Sequence, residues 1–317
     1  MTQLLAAPPR ASAPSRPTRA LTAQKRNTRI GHLLLLPSIA ILVVVIVFPV
    51  LNSIWMSFTD RSLLDVTSGN FVGLENYFSL FTSDDFRQSV GNTVVWTIVN
   101  VVAQVALGVG LAVLLNTKLR ARFLLRTFAI VPWILPSVSA VLIWRNLYDP
   151  AIGLFNSIGM NLGLLEKPVV WLGSTDTAMG AVLVESVWKG TPFVMLIVLA
   201  GLQSMPKELY EAAAVDGANA WTTFWRIVLP SIKSTVALAT ILTTTYTVNN
   251  FNAVWLMTEG GPLGSTEIVF TYGYKQGFVK YEFGKAAAVS VTLFIVLLAI
   301  AIVYLFLLER KGQKSNV

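Results

Sequence analysis

Residues 203–233 read QSMPKELYEAAAVDGANAWTTFWRIVLPSIK, the most strongly constrained polar stretch between two apolar runs of this chain. Pro206 suits the first turn of a helix, where its missing N–H costs nothing, and good helix formers follow it over 207–215. Gly217 can adopt the left-handed conformation that ends a helix. Apolar residues at i, i+3, i+4 and i+7 predict a second short helix over 220–228. The stretch therefore predicts two short helices joined by a glycine turn.

The anchors of this stretch resemble the EAA loop of bacterial ABC importer permeases. Glu211-Ala212-Ala213, three residues, Gly217, nine residues and then Ile227-Val228-Leu229-Pro230 follow the family spacing. In that family the loop forms a short cytoplasmic coupling helix that sits in a cleft of the ATPase subunit and transmits its closure to the spans. The resemblance implies that Glu211 makes the contact and Gly217 the turn. The implied ATPase-coupling residues are Glu211, Ala212, Ala213, Asp216, Gly217, Ile227, Leu229 and Pro230. The plainer interpretation is an ordinary amphipathic linker helix.

Composition places the chain in a membrane. Of its 317 residues 54% are hydrophobic and 13% charged, whereas an ordinary globular domain carries about 25% charge. There is no cysteine, which excludes disulfides, thiolate nucleophiles and cysteine metal sites. The single histidine, His32, excludes a histidine cluster for metal binding or proton relay. We therefore expect no metal site and no catalytic residues.

Six apolar segments are long enough, or nearly so, to cross a bilayer, which takes about 20 helical residues. They cover residues 33–58, 89–116, 127–144, 178–202, 234–257 and 286–308. The third is short and can extend to Tyr148. The predicted fold is therefore an all-α integral membrane protein with six transmembrane helices.

Charge placement predicts the orientation. Most of the 24 basic residues lie in the N-terminal tail, around 118–126, in the 203–233 loop and from residue 309 onward. Of the 16 acidic residues, those segments hold Glu208, Glu211, Asp216 and Glu309. The excess of positive charge predicts that both termini are cytoplasmic, the N-in, C-in topology. It also places the predicted coupling helix in the cytoplasm, between spans four and five.

The chain divides into a core and two tails. Residues 1–29 are rich in Ala, Pro, Ser and Arg and contain no acid, so they predict a disordered cytoplasmic tail. An organelle transit peptide is the alternative for this composition. The resemblance makes residues 30–309 an ABC permease transmembrane domain, and residues 310–317 form a cytoplasmic C-terminal tail.

The predicted external loops carry a second resemblance. The stretch FVGLENY at 71–77, the pair Asn92-Thr93, the turn Gly260-Gly261-Pro262 and Thr266 are similar to carbohydrate-uptake permeases of the maltose-permease type. The resemblance covers about residues 30–308. In this family such loops receive a substrate-loaded extracytoplasmic binding protein. A solvated loop is the plainer interpretation of each stretch.

Two charges lie deep in the fourth apolar segment. Glu185 and Lys189 would each cost about 2.5–3.5 kcal/mol at mid-bilayer, and their i, i+4 spacing predicts an ion pair along one helix face. Trp188 lies beside them, and Pro192 can kink the helix. Glu185 and Trp188 are candidates for the substrate path, and a purely structural pair is the alternative.

Polar residues also interrupt the fifth apolar segment. Tyr246, Asn249 and Asn250 fall at i, i+3 and i+4, so we expect them to form a polar stripe, with Trp255 toward the outer end. A sugar needs hydrogen-bond partners for its hydroxyls and a flat apolar face to stack on, and these amides, the hydroxyl and the aromatic rings offer both. Polar contacts between helices are the alternative.

The second and third segments add further candidates. Gln104, with Asn100 one turn before it, is a substrate-path candidate on the second segment. Pro132 and Pro136 predict kinks in the third segment that shape a cavity.

No phosphate-binding GxxxxGK[ST] stretch occurs, so the energy source must be another subunit. The resemblance implies a permease subunit of a binding-protein-dependent ABC importer for a carbohydrate, with a di- or oligosaccharide as the first expectation. The chain itself would hold no cofactor, since ATP and Mg²⁺ bind to the partner ATPase. The implied partners are a second homologous permease in a heterodimer, two ATPase subunits, an extracytoplasmic sugar-binding protein and membrane lipid, with no nucleic acid. The implied location is the bacterial inner membrane.

The alternative is an ion-coupled secondary transporter that uses Glu185 as its titrating site. Broken helices in inverted repeats would support it, but no convincing repeat occurs. A membrane-embedded enzyme lacks any credible catalytic set.

Overall fold

The computed structural model describes residues 34–65, 67–117 and 120–313. These residues form helices and no β-strand, with two isolated antiparallel bridges, Thr59 to Phe71 and Ser62 to Glu282. The chain divides into two compact units, Met1–Asn52 and Ser53–Val317, and every site discussed below belongs to the second. The predicted tail at 1–29, His32 and residues 314–317 lie outside the described residues.

Thirteen helices make up the described chain. They are α1 (Leu34–Met56), α2 (Glu75–Thr82), α3 (Asp84–Asn116), α4 (Arg122–Ile134), α5 (Ser137–Leu147), α6 (Leu154–Asn161), α7 (Ala178–Gln203), α8 (Glu208–Val215), α9 (Ala220–Ser231), α10 (Lys233–Val248), α11 (Phe251–Thr258), α12 (Val269–Tyr274) and α13 (Phe283–Gln313). A π-helical turn interrupts α1 at Val43–Val47 and α9 at Phe224–Val228, and another follows α12 at Lys275–Val279.

Four of these helices are long and apolar enough to cross a membrane: α1, α3, α7 and α13. The pair α4 and α5 meets the same test together but is bent by 96°. The run from α9 through α11 also meets it, with a bend of 70° between Ala220–Ser231 and Lys233–Thr258. The described chain therefore holds four to six spans, and the count of six stays a prediction.

The third predicted segment is two helices rather than one. Pro136 has no N–H to donate back to the carbonyl of Pro132, and it disfavours helical backbone at the residue before it. Leu135 accordingly takes an extended conformation, φ −61° and ψ 134°, between α4 and α5. The predicted kink is therefore a full break, and it opens a wall of the cavity described below.

Three buried clusters of the described residues hold the second unit together, and the two larger ones surround α3 and α7. One joins α3, α5, α7 and α11 through Trp96, Val141, Trp144, Val182 and Val254. The other joins α3, α7, α9 and α10 through Ala112, Val198, Leu202, Val228 and Ala239. Helices α3 and α7 contribute to both clusters, so they form the centre against which the bent pairs pack.

Asn92 and Thr93, which belong to the resemblance to maltose-type permeases, hold α3 against the loop between α11 and α12. The Asn92 side-chain amide donates to the carbonyls of Gly264 and Glu267 at 2.8 and 3.0 Å. The Thr93 hydroxyl accepts from the backbone N–H of Val269 at 2.8 Å. These contacts give Asn92 and Thr93 a structural role.

Candidate functional site

A cavity of about 680 Å³ lies where the two bent helix pairs meet α3 and α7. Its walls come from one residue of α3, the break between α4 and α5, one face of α7 and the C-terminal end of α10. The lining residues are Gln104, Trp133, Leu135, Pro136, Ser137, Ser186, Lys189, Gly190, Phe193, Leu242, Thr243, Thr245, Tyr246, Asn249 and Asn250. We refer to this space as the central cavity.

The polar end of α10 supplies one wall of the central cavity. The helix ends at Val248, so Tyr246, Asn249 and Asn250 do not form the continuous helical stripe that their spacing predicts. All three nevertheless line the same cavity. The Asn249 amide donates to the carbonyl of Thr245 at 2.8 Å. Asn250 is the N-cap of α11, so the break is held by the same two side chains that face the cavity.

Gln104 reaches the central cavity from a buried polar ladder on α3. Its amide donates to the Asn100 side chain at 3.0 Å and to the carbonyl of Ser186 on α7 at 3.3 Å. The Asn100 amide in turn donates to the carbonyl of Trp96. A Cβ at Gly190 would overlap the Gln104 amide, so the missing side chain of Gly190 is what admits it.

The predicted ion pair between Glu185 and Lys189 does not form. The Lys189 ammonium instead donates to the carbonyl of Leu135 at 2.6 Å, across the break between α4 and α5. Glu185 is 1% exposed, and neither of its carboxylate oxygens has a hydrogen-bond partner among the described residues. The i, i+4 prediction was wrong because the break exposes a carbonyl that competes for the ammonium.

Trp133 and Phe193 form an aromatic pair on the opposite wall. Their ring centroids lie 6.1 Å apart with planes inclined by 28°. Trp133 is 48% exposed and lines the cavity. Sequence reasoning missed Trp133. The Pro-Phe pair after Lys189 was the available signal for Phe193.

Two predicted substrate-path tryptophans lie elsewhere. Trp188 packs against Trp144 at 5.5 Å, on a different face of α7. Trp255 stacks on Phe251 at 5.3 Å and contacts Tyr274 at 4.7 Å. Neither lines the central cavity, and neither does Glu185. Of the candidates only Gln104, Tyr246, Asn249 and Asn250 come together.

The chemistry of the central cavity suits a hydroxylated ligand with a flat apolar face. Its walls carry amides, hydroxyls, aromatic rings and one ammonium group, and none of the lining residues is acidic. Amides and hydroxyls both donate and accept hydrogen bonds, which ring hydroxyls require. The hydroxyls of a sugar ring match the polar groups of the cavity, and its apolar face matches the aromatic rings.

The predicted glycine turn forms in the 203–233 loop. Gly217 has φ +71°, and nothing lies within 4 Å of the position that a Cβ would take there. The N–H of Ala218 donates to the carbonyl of Ala213 at 2.9 Å, and that of Gly217 to the carbonyl of Ala214 at 3.2 Å. This double hydrogen bond around a left-handed residue satisfies the last carbonyls of α8.

The predicted second helix of the loop also forms and continues to Ser231, one residue beyond Pro230. Asn219 caps it by accepting from the N–H of Thr222 at 2.8 Å. In the first helix of the loop, the hydroxyl of Tyr210 contacts the sulfur of Met205 at 3.7 Å. Burial raises the pKa of Tyr210, so its hydroxyl stays neutral.

Most predicted coupling residues face outward. Glu211, Ala212, Asp216, Gly217 and Pro230 are exposed, Ile227 and Leu229 are half-buried, and Ala213 is buried. Val215 is 88% and Trp221 72% exposed beside them. An apolar surface so exposed on a short, well-capped loop suits contact with another protein.

Comparison with known proteins identifies the relatives of this chain. Residues 104–311 match the profile of the family described as binding-protein-dependent transport system inner membrane component. The trehalose/maltose transport system permease protein MalF of Thermococcus litoralis is 36% identical over 88% of this chain and 94% of its own length. The sulfoquinovosyl glycerol transport system permease protein SmoG of Agrobacterium fabrum is 33% identical over 88% and 90%.

A solved structure shares the fold. It is a chain of a bacterial ABC transporter involved in the import of the acidic polysaccharide alginate, with a TM-score of 0.79 and 22% identity. The match covers 92% of this chain and 99% of that one. At this identity the likeness concerns the fold alone.

Proposed function

Since this chain belongs to the family of binding-protein-dependent transport system inner membrane components, we propose that it is the permease subunit of an ABC importer for a di- or oligosaccharide. As a member of this family it is a transport subunit rather than an enzyme, and ATP hydrolysis belongs to a separate subunit. The same membership leaves the ion-coupled alternative without support. Glu185, its supposed titrating site, is buried away from the central cavity.

The central cavity is the observation that carries the sugar assignment. Tyr246, Asn249, Asn250 and Gln104 present hydrogen-bonding groups to a space that also exposes the ring of Trp133. The names of the relatives agree with this chemistry, since they refer to trehalose and maltose and to a sulfoquinovosyl glycerol. The substrate enters between the broken helices, whose ends supply the polar groups.

The 203–233 loop is the joint to the ATPase. Glu211, Val215 and Trp221 lie on its exposed surface, and Gly217 sets the angle between its two helices. The ATPase subunits bind ATP and Mg²⁺, and their closure pushes on α8 and α9. The buried residues Ala213 and Val228 pass that movement to the spans.

The topology has six spans with both termini in the cytoplasm of a bacterium, and the inner membrane holds the complex. The excess of basic residues in the tails and in the 203–233 loop supports this orientation. The assembly contains a second, similar permease chain, two ATPase subunits and an extracytoplasmic sugar-binding protein. A substrate shifts such an assembly only by binding its states unequally.

Co-purification tests the assembly. The tagged chain is extracted from its native membrane in mild detergent, its partners are identified, and ATP hydrolysis is measured with maltose, trehalose and longer glucans. A stoichiometric P-loop ATPase, a second permease and sugar-stimulated hydrolysis support the proposal. A chain that emerges alone under conditions that preserve such complexes contradicts it.

A matched pair of substitutions tests the central cavity. Asn249 and Asn146 both donate to the carbonyl four residues earlier, but only Asn249 lines the cavity. Losing one hydrogen bond to the sugar should raise the KM of uptake about two- to tenfold in Asn249→Ala. Asn146→Ala should leave KM unchanged. Equal KM values in both variants would remove Asn249 from the substrate site.

A further inference from the structure

A second cavity, of about 760 Å³, lies beneath the 203–233 loop. It is enclosed by the end of α3, the start of α4, the end of α7 and the inner faces of α8 and α9. The lining residues are Val113, Asn116, Thr117, Arg122, Leu202, Gln203, Met205, Lys207, Tyr210, Ala214, Ala218, Ala220, Thr223, Phe224 and Val228. We call it the lower cavity. It shares no lining residue with the central cavity.

The lower cavity is positively charged. Arg122 and Lys207 line it, and no aspartate or glutamate does. The ion pairs within the described residues lie elsewhere, so neither cation is neutralised by an acid of the described chain. One turn along α4, Arg126 donates to the carbonyl of Leu115 at 3.4 Å, and its Nε is buried without a hydrogen-bond partner among the described residues. The cavity therefore holds two cations without an acidic partner among the described residues, and an anion would satisfy them.

The backbone adds to this positive charge. Helix α4 begins at Arg122 and has 13 residues, and no side chain caps its first N–H groups. The residue before it, Ala121, has φ +61°. The positive end of a helix and two cations thus meet at one cavity, and oxygens of a phosphate group are the usual partners of such an arrangement.

The first two turns of α4 also carry apolar side chains. Phe123 is 79%, Leu124 55% and Phe128 72% exposed, next to Arg122 in the sequence or within two turns of it. A free phosphate would use only the charged groups. A phospholipid would use both, because its phosphate meets the cations while its acyl chains cover the apolar side chains.

We propose that the lower cavity binds the phosphate of an anionic phospholipid from the leaflet that faces the 203–233 loop. The far wall of the cavity is the inner face of α8 and α9, including Tyr210 and Ala218. A bound headgroup therefore bridges the start of α4 to the 203–233 loop, which is the joint to the ATPase if the proposed function holds.

Lipid counting tests the site without sugar or ATP, so its outcome is independent of the transport assignment. The purified full transporter complex is titrated with phosphatidylglycerol or phosphatidylcholine, and bound lipid is counted by native mass spectrometry. Because each cation contributes its own attraction to an anionic headgroup, Arg122→Gln and Lys207→Gln should each weaken phosphatidylglycerol binding about fivefold. Arg226→Gln is the matched control, because Arg226 is exposed on the same loop but does not line the cavity.

The outcomes separate the sources of the phosphate. Loss of phosphatidylglycerol in both cavity variants, with retention in Arg226→Gln, supports the proposal. Equal binding of the two lipids, or no difference among the three variants, overturns it. Displacement of the bound lipid by millimolar inorganic phosphate would assign the cavity to a soluble phosphate instead. Thermal unfolding of each variant, monitored by tryptophan fluorescence, identifies any variant that has lost its fold, and for such a variant Arg122→Lys and Lys207→Arg must then restore binding.

Discussion

Replacing Gly217 by alanine should uncouple sugar transport from ATP hydrolysis. Gly217 has φ +71°, a conformation that costs an L-residue about 1–2 kcal/mol. Nothing lies within 4 Å of the position that the new Cβ would take, so a clash contributes nothing and the backbone preference is the whole effect. That free energy lowers the population of the correctly hinged loop about 5- to 30-fold relative to a relaxed one.

A graded series makes the Gly217 prediction quantitative. Asparagine tolerates the left-handed region better than alanine, so Gly217→Asn should lie between wild type and Gly217→Ala. Gly217→Pro should be worst, because proline cannot adopt a positive φ and lacks the N–H that donates to Ala214. The assay is the number of sugars transported per ATP hydrolysed by the complete transporter in proteoliposomes.

Gly110→Ala is the control for the Gly217 series. It makes the same change in α3, where φ is not positive and the new Cβ also meets nothing within 4 Å. It should leave coupling unchanged and stabilise the helix by up to about 1 kcal/mol. Wild-type coupling in Gly217→Pro, with the ATPase still bound, would refute the assignment of this turn as a mechanical joint.

Two further substitutions test the walls and the interior near the central cavity. Gly190→Ala should displace the Gln104 amide and leave buried donors without partners, which lowers the free energy of unfolding by about 1–3 kcal/mol. Thermal unfolding in detergent measures this loss. An unchanged unfolding midpoint would contradict the close approach of Gly190 and Gln104. Glu185→Gln should leave that free energy unchanged or raise it by about 1–3 kcal/mol, because neither carboxylate oxygen has a partner to lose among the described residues. A marked loss of stability in Glu185→Gln would instead show that Glu185 forms an ion pair.

The features that the sequence predicted well depend on near neighbours. The turn at Gly217 follows from a residue without Cβ after a run of helix formers, and it forms as expected. The apolar lengths of α3, α7 and α13 likewise predicted helices that could cross a membrane. Pro136 predicted a kink at the right place, although not the 96° bend.

The composition of both cavities depends on contacts between distant segments. Lys189 has Glu185 one turn away, yet its ammonium binds the carbonyl of Leu135, 54 residues earlier. The spacing of Tyr246 and Asn249 predicted that both lie on one face of one helix. In the structure that helix ends at Val248, between the two residues, and Asn250 caps the next helix. No local sequence pattern indicated that Trp133 lines the central cavity.

The sequence by itself therefore determined most of the helices, the residues that end them and the glycine turn at Gly217, because backbone preference depends on residues within about one turn. The tertiary structure alone decided which polar groups share a cavity and which of the described ones remain without a partner. Arg122 and Lys207 illustrate this, since they are separated by more than a whole span and meet at one cavity only when α4 packs beside the 203–233 loop. A polar or charged group can pair with any suitable group that folding brings near it, so the packing of the helices decides which partner it has.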